Sequence, residues 1–430
     1  MRDELKKRIA QINAGIVPAG YRKTKVGIVP EDWDIQKAGK YIVEHTEKST
    51  ENNQYPVLTS SRKGLFLQSD YYNKQVASED NTGYNVVPYG FFTYRHMSDD
   101  EIFKFNINLI VEKGIVSTLY PVFTLQDIDK QWFLYTLNNG REFPRYARAQ
   151  KQGGSRTYMY LEKLKKLKLA LPPLPEQQKI AEILTTQDEV IALIEKQIEL
   201  LKKQKQAYLQ KMFPKKGSKY PEIRFAGFTD AWEQRKFGDV NDLITGYPFE
   251  SEHFSETGIN LIRGMNVKRG SIDLSNDICV KWNSSKGLES YLLKENDIII
   301  QMDGALIGKS YGIIKKSHLP ALLVQRVTRA RTNSEIADSD FMYQTIQRDF
   351  LTYINMNKTE TAVPHLSLND IRYFRIMTPN LSEQKMIGAF FANLDNLITL
   401  HQRKLELEQQ QKKALMQLLL SGKVRVESGE

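Results

Sequence analysis

Leu174-Pro-Glu-Gln-Gln-Lys-Ile-Ala-Glu-Ile-Leu184 and, 207 residues further on, Leu381-Ser-Glu-Gln-Lys-Met-Ile-Gly-Ala-Phe-Phe391 are two writings of one helix start. The same offset places Asp188 on Asp395, Ile191 on Ile398, Glu199 on Glu406, Leu200 on Leu407 and Lys205 on Lys412 without a gap. It extends back to Leu161 on Leu368 and Pro172 on Pro379. Apolar residues continue from Ile180 through Leu184, Ile191, Ile194, Ile198 and Leu201 to Tyr208 and Met212. The second copy gives Ile387, Phe391, Leu394, Ile398, Leu405, Leu415 and Leu419. Steps of three and four residues trace a coiled-coil seam, and the prolines at 172, 173, 175 and 379 suit the approach to a helix start. About 38 residues at ~1.5 Å rise span roughly 57 Å, the length of a spacer. The two seams fit an antiparallel pair within one chain; homodimerisation through the same stripe is the competing arrangement.

Upstream of each helix lies a shorter repeat, Trp33-Asp-Ile-Gln-Lys37-Ala-Gly39 and Trp232-Glu-Gln-Arg-Lys236-Phe-Gly238, at an offset of 199. Between these anchors, residues 43–152 and 241–358 show no comparable match. The chain therefore reads as lead-in motif, variable globular block, proline link and long helix, written twice. A framework that is kept while its inserts differ is a scaffold presenting two independent surfaces. The blocks read as mixed strand and helix, with strands expected at 85–94, 115–123, 297–302 and 321–328, a strand–turn–strand at 260–270, and helices at 128–140 and 340–354. The expected fold class is mixed α/β: two globular domains separated by two long antiparallel coiled-coil helices, with a pseudo-twofold internal repeat. The expected boundaries are a lead-in with an N-terminal helix at 1–25, a first domain at 26–172, the central helix at 173–213 and a linker at 214–222. A second domain at 223–379, the C-terminal helix at 380–422 and a tail at 423–430 complete the plan.

The 430 residues suit two or three domains, and 41% hydrophobic content is enough for packed cores. No apolar run approaches membrane-spanning length, and no signal peptide is legible, so a cytoplasmic protein is expected. The single cysteine, Cys279, has no disulfide partner, and no two of the six histidines have helical zinc spacing. A net charge of +10 makes a polyanion partner plausible. Its distribution says more: residues 141–168 hold nine basic residues against Glu142 and Glu162, and residues 309–331 hold six with no acid.

Asp303-Gly-Ala-Leu-Ile-Gly-Lys309-Ser310 follows an expected strand and is one glycine short of a phosphate-binding loop, with Asp303 where GxxxxGK[ST] needs Gly. Two readings stay open: a plain turn, or a turn that brings Lys309 and backbone amides against DNA phosphates. A self-sufficient nucleotide enzyme built on this loop is disfavoured. No glycine-rich methyl-donor fingerprint, Asn-Pro-Pro-Tyr-type motif or nuclease motif is present, which points to a binding subunit that borrows its chemistry.

The paired Trp motifs, the two helix starts and the closing Gln417-Leu-Leu-Leu-Ser-Gly-Lys-Val-Arg425 together resemble the specificity subunit of type I restriction–modification systems. The resemblance runs from Tyr21 to the end. It implies that the blocks are target-recognition domains for double-stranded DNA, that the helices dock two methyltransferase subunits, and that the chain itself is not an enzyme. It also implies adenine methylation using S-adenosylmethionine by those partners. In a cleaving complex, two restriction (motor) subunits would add ATP- and Mg2+-dependent chemistry, with no cofactor bound by this chain. The alternative is a free-standing dimeric sequence-specific DNA-binding regulator.

Candidate DNA contacts follow from residue type, since Arg bonds guanine and Asn or Gln bonds adenine in bidentate fashion, while small residues let loops approach closely. In the first block they are Thr59, Ser60, Ser61, Arg62 and Lys63, then Tyr94 and Arg95, and, in the loop at 150–158, Lys151, Arg156 and Tyr158. In the second they are Arg263, Asn266, Lys268, Gln301 and Lys309, with His365 closing the loop at 358–365. Arg326 and Arg329, in the alternating run to Arg331, fit either phosphate contact or one charged strand face.

Overall fold

The computed structural model describes residues 2–71, 80–151, 156–304, 307–357 and 365–426. It forms two units, residues 1–194 with 404–430, and residues 195–403. The long helices Leu174–Lys211 and Leu381–Leu419 each give a segment to both units. Within each unit the two segments run antiparallel and bury their seams. Ile180 and Leu184 join Leu419 and Leu420 in the first core, and Ile387, Phe391 and Leu394 join Leu201 and Tyr208 in the second. The seams thus pair inside the chain, as the antiparallel arrangement requires.

Crossed ion pairs set the register. In the first unit Asp188 accepts from Lys412 and from the Tyr135 hydroxyl at 2.6 Å. In the second, Lys205 Nζ donates to both oxygens of Asp395 at 2.7 and 2.8 Å. These are one pair with the helices exchanged, because Asp188 and Asp395, and Lys205 and Lys412, occupy equivalent repeat positions.

The helix starts explain the repeated Glu-Gln. Glu176 is 4% exposed and Glu383 is 0% exposed, so each carboxylate needs a partner. Arg425, just beyond the end of the C-terminal helix, donates Nε and Nη2 to Glu176 at 2.7 and 2.8 Å and also holds Asp32. Trp33 Nε1 donates to the same carboxylate at 3.0 Å. Arg224, beyond the linker that follows the central helix, grips Glu383 with Nε and Nη2, both at 2.7 Å. Each glutamine then ties two more segments. Gln177 donates to Pro172 O and accepts from Asp129 N, the N-cap of helix Lys130–Asn139. Gln384 does the same with Pro379 O and Asp338 N, the N-cap of helix Ser339–Thr345.

The unlike blocks share a sheet. In the first unit, strands Ile42–Glu44, Phe92–Tyr94, Phe105–Ile107 and Val122–Leu125 are ordered first, fourth, second, third. In the second unit, Asn241–Thr245, Ile298–Gln301, Tyr311–Ile313 and Val327–Thr332 follow the same antiparallel order. Beside each sheet the lead-in strand pairs with the segment leaving the block: Asp34–Lys37 with Lys168–Leu171, and Glu233–Lys236 with Arg375–Thr378. Trp33 and Trp232 are buried behind these pairs. The first unit adds a hairpin, Leu58–Ser61 with Gly64–Leu67, and the second adds a three-stranded sheet.

Local expectations hold in part. Residues 85–94 form two strands separated by a turn at Gly90, whose φ is 76°. Residues 115–123 touch two strands, Lys113–Val116 and Val122–Leu125, of different sheets. After strand Ile259–Ile262 the chain makes a 3-10 turn at Gly264–Asn266 instead of a second strand, because Asn266 closes it by accepting from Arg263 N at 3.0 Å. Residues 321–328 break at Arg326 (φ 66°), between strands that belong to different sheets. No described helix is long and apolar enough to cross a membrane.

Removing Arg224 leaves the buried Glu383 carboxylate without compensation. Arg224→Ala is expected to destabilise the protein by about 3–5 kcal/mol in urea unfolding, with much of the loss recovered when Glu383→Gln is added. A loss below ~1 kcal/mol would show that the closure is not a stabilising contact.

Candidate nucleic-acid interface

In the first unit the chain leaves the central strand Phe92–Tyr94 into a loop that passes the end of the hairpin. Asn106, on the edge strand, donates Nδ2 to Ser60 Oγ at 2.8 Å and to Ser61 O at 3.0 Å, tying hairpin to sheet. Thr59 and Ser60 are therefore buried, while Arg62 and Lys63 stand exposed at the tip. Ser61, Arg62, Arg95, Met97 and Asp99 line one shallow depression. Met97–Ser98 pairs with Thr157–Tyr158, which brings the far loop alongside. Three basic candidates from two segments thus converge, each on one of three consecutive acids. Arg62 bonds Asp100, Arg156 Nε donates to Asp99 at 2.8 Å, and Lys151 Nζ donates to Glu101 at 2.6 Å. The bonds from Arg62 and Ser98 pull the Asp100 carboxyl down to about 2. Tyr158 stacks on Tyr160, with ring centroids 5.8 Å apart and planes 11° apart, and His96 lies 5.0 Å from Tyr160.

In the second unit the equivalent loop follows Ile298–Gln301. Asp303 makes an antiparallel bridge with His365 and also accepts from its ring, while Arg326 Nε lies 3.2 Å from the other oxygen. Gln301 Nε2 donates to Asp303 O at 2.8 Å, and the turn at Gly264 packs against the same side chain. Lys268 and Lys309 are exposed. Residues 152–155, 305–306 and 358–364, parts of the loops singled out by sequence, lie outside the described residues.

Several candidates are used elsewhere. Tyr94 is 0% exposed within the first core, where its ring packs 4.5 Å from Phe105 and its hydroxyl donates to Met159 O at 2.8 Å. Burial pushes that hydroxyl's pKa up, and it offers no surface to DNA. Asn266 is also fully buried and closes its own turn by donating to Asp273 O at 2.9 Å. Arg263 donates to Ile278 O and lies 5.6 Å over the Phe254 ring. Arg329 is 3% exposed and bonded to Asp242, and Arg331 grips the buried Asp297 at 2.7 Å, so the alternating run is a set of strand-fixing ion pairs, and only Arg326 is exposed. The phosphate-loop resemblance at 303–310 also fails. Ser310 leads into strand Tyr311–Ile313, so no helix N-terminus stands behind the turn to hold a phosphate.

Sequence reading missed Asp99, Asp100 and Glu101, and took Asp303 only as a departure from the phosphate-loop pattern. The acidic run is visible beside Arg95, but which base each acid meets is set by contacts tens of residues away. It also missed the His96–Tyr160 stack. Among the described residues no group of three or more His, Cys, Asp or Glu side chains is placed to hold a metal ion.

Comparison with known proteins agrees with this duplicated plan. The profile of the type I restriction modification DNA specificity domain matches residues 33–203 and 229–409. The chain is 26% identical to the type I restriction enzyme MjaVIII specificity subunit of Methanocaldococcus jannaschii, over 93% of this chain and 95% of that one. It is 30% identical over 171 residues to the type I restriction enzyme EcoAI specificity subunit of Escherichia coli, covering 39% of this chain and 28% of the relative. The crystal structure of the type I S subunit from M. genitalium shares the fold, with a TM-score of 0.58 at 15% identity over 90% of this chain and 96% of that one. With both framework copies matched, the chain belongs to the type I restriction–modification DNA specificity family, as a specificity subunit with two recognition domains.

Proposed function

We propose that each recognition domain reads one part of an asymmetric, two-part DNA target, that the paired helices set the unread gap, and that their outer faces dock two methyltransferase subunits. The carrying observation is that equivalent closures, Arg425 on Glu176 and Arg224 on Glu383, support unlike reading loops. A homodimer presents equal surfaces and reads equal half-sites; two unlike surfaces on one duplicated frame read unequal ones. In the first block the cations at hand are Arg62, Lys63, Arg95, Lys151 and Arg156, with the Tyr158 ring beside them. In the second they are Lys268, Lys309, Arg326 and His365, with Gln301 beneath.

Docking is supported by leucines that the intramolecular seam leaves outside. Leu193 and Leu400 are equivalent in the repeat, as are Leu200 and Leu407, and all four are more than half exposed. Duplicated exposed apolar positions fit a partner that binds twice. Those methyltransferases would supply adenine methylation with S-adenosylmethionine, and two restriction subunits, where present, would supply ATP- and Mg2+-dependent cleavage. This chain contributes specificity and binds no cofactor in that scheme.

Exchanging residues 43–155 for the corresponding block of another family member is expected to change one part of the methylated sequence and leave the other part intact. Mapping modified adenines across a genome decides it, and a change in both parts would contradict independent reading. For docking, Leu193→Asp with Leu400→Asp is expected to weaken methyltransferase association at least ~10-fold in sedimentation, with the melting temperature of the isolated chain unmoved. Undiminished association would remove the helices' outer faces as the docking site.

A further inference from the structure

The paired strands that frame each block carry a charge arrangement that stability alone does not explain. Lys37 stands directly opposite Lys168 in the first unit, and Lys236 directly opposite Arg375 in the second. All four are exposed. Like charges facing each other across a strand pair repel. Yet the arrangement occurs in both copies, at the last residue of the lead-in strand and the first of the strand leaving the block.

A third cation joins each pair. Lys165 packs over Gly39, where an added Cβ would lie 2.9 Å from the lysine's own Cβ, and Arg372 packs over Gly238, where it would lie 2.5 Å from Cγ. The glycine of each Trp-x-x-x-Lys-x-Gly motif thus admits the basic residue that completes the cluster. In the first unit these side chains, with Lys40, line one open basin. Lys165 shares charge with Glu44 at 3.0 Å and Glu162 at 2.5 Å, and Lys236 lies 5.1 Å over the Tyr373 ring. Among the described residues Lys37, Lys168 and Arg375 form no ion pair.

We infer that Lys37, Lys165 and Lys168, and likewise Lys236, Arg372 and Arg375, are sequence-independent contacts to DNA phosphates, one cluster for each recognition domain. This rests on the DNA-reading role proposed above and assigns it a part that the variable blocks do not supply. Four cations of the reading loops are already held by carboxylates: Arg62, Lys151, Arg156 and Arg326 each have one. The strand pairs keep theirs free for a polyanion. Their placement also fits. The chain runs from Arg156 and Tyr158 through one helical turn, Leu161–Leu164, to Lys165 and Lys168. In the second unit it runs from His365 through Leu368–Arg372 to Arg375. Base-reading loop and phosphate cluster are thus successive parts of one segment, with the phosphate contacts positioning the domain while the loop specifies.

The test uses the chain assembled with its methyltransferase. Lys37→Gln/Lys168→Gln and Lys236→Gln/Arg375→Gln are compared with the unaltered complex on its mapped target and on scrambled duplex, across a salt series. Each pair is expected to weaken both DNAs by the same factor, at least ~10-fold at low salt, and to reduce the slope of log K against log salt by about 1.8, close to 0.9 per lost cation. Lys37→Arg/Lys168→Arg, which keeps the charge, should keep the slope. Melting temperatures of the Gln variants should not fall, since repulsion is removed. An unchanged salt slope would overturn the inference. So would loss of methyltransferase co-elution at an unchanged slope, which would make the clusters a face for an acidic protein. An unaltered complex that cannot tell target from scrambled DNA would instead sink the DNA-reading proposal, whatever the variants do.

Discussion

A buried carboxylate at the start of each long helix, met by an arginine arriving from beyond the end of the other, is the constraint on which the rest of the molecule depends. Glu176 and Glu383 sit where desolvation would be severe without a partner, and Arg425 and Arg224 supply bidentate ones. The price of burying these charges is recovered as specificity of arrangement: the arginine can reach its glutamate only if the helices run antiparallel in one register. The crossed pairs of Asp188 with Lys412 and Lys205 with Asp395 repeat that demand inside the seam. Hydrophobic burial alone would tolerate a slip by a turn, since Leu, Ile and Met seam residues are near-interchangeable in volume.

From that closure the blocks inherit their position. Each helix start carries a glutamine that clamps the proline link behind it and the N-cap of a block helix in front. The lead-in and departing strands then pair, so each block enters and leaves its frame at a fixed pair of residues. Between those points the sheets share strand order without detectable sequence match. Only alternation and burial are demanded of strands such as Phe92–Tyr94 and Ile298–Gln301, and many sequences satisfy that. The loops between strands are thereby released to differ, as two independent reading surfaces require.

Much of the framework was legible because it is local or periodic. The seams follow from spacing, the helix starts from the repeated Glu-Gln, and the duplicated plan from two constant offsets. The reading surface was legible only as a neighbourhood. Arg, Asn, Gln and Tyr are chosen both by DNA-contacting loops and by buried backbone that needs donors, and residue type does not separate the two uses. Asn266 and Tyr94 went to the second use, and Arg329 to an ion pair inside the sheet. Asp99 escaped notice, and the partners of Asp303 did too, for the converse reason. An acid in a basic loop reads as an interruption until a partner such as Arg156 or His365 arrives from tens of residues along the chain.

If the two closures are equivalent, where the backbone is cut should not matter. The two ends of the described chain meet in the first unit, where Lys423 donates to Asn13 and the Tyr21 hydroxyl donates to Gly422 O at 2.8 Å. In the second unit the linker at 214–222 follows the central helix and precedes Arg224. A permuted chain that begins within this linker and joins residue 426 to residue 2 through a short flexible segment tests the claim directly. A cooperative protein with the original methylation pattern is expected. A chain that fails to fold, or folds and modifies a different sequence, would contradict the account.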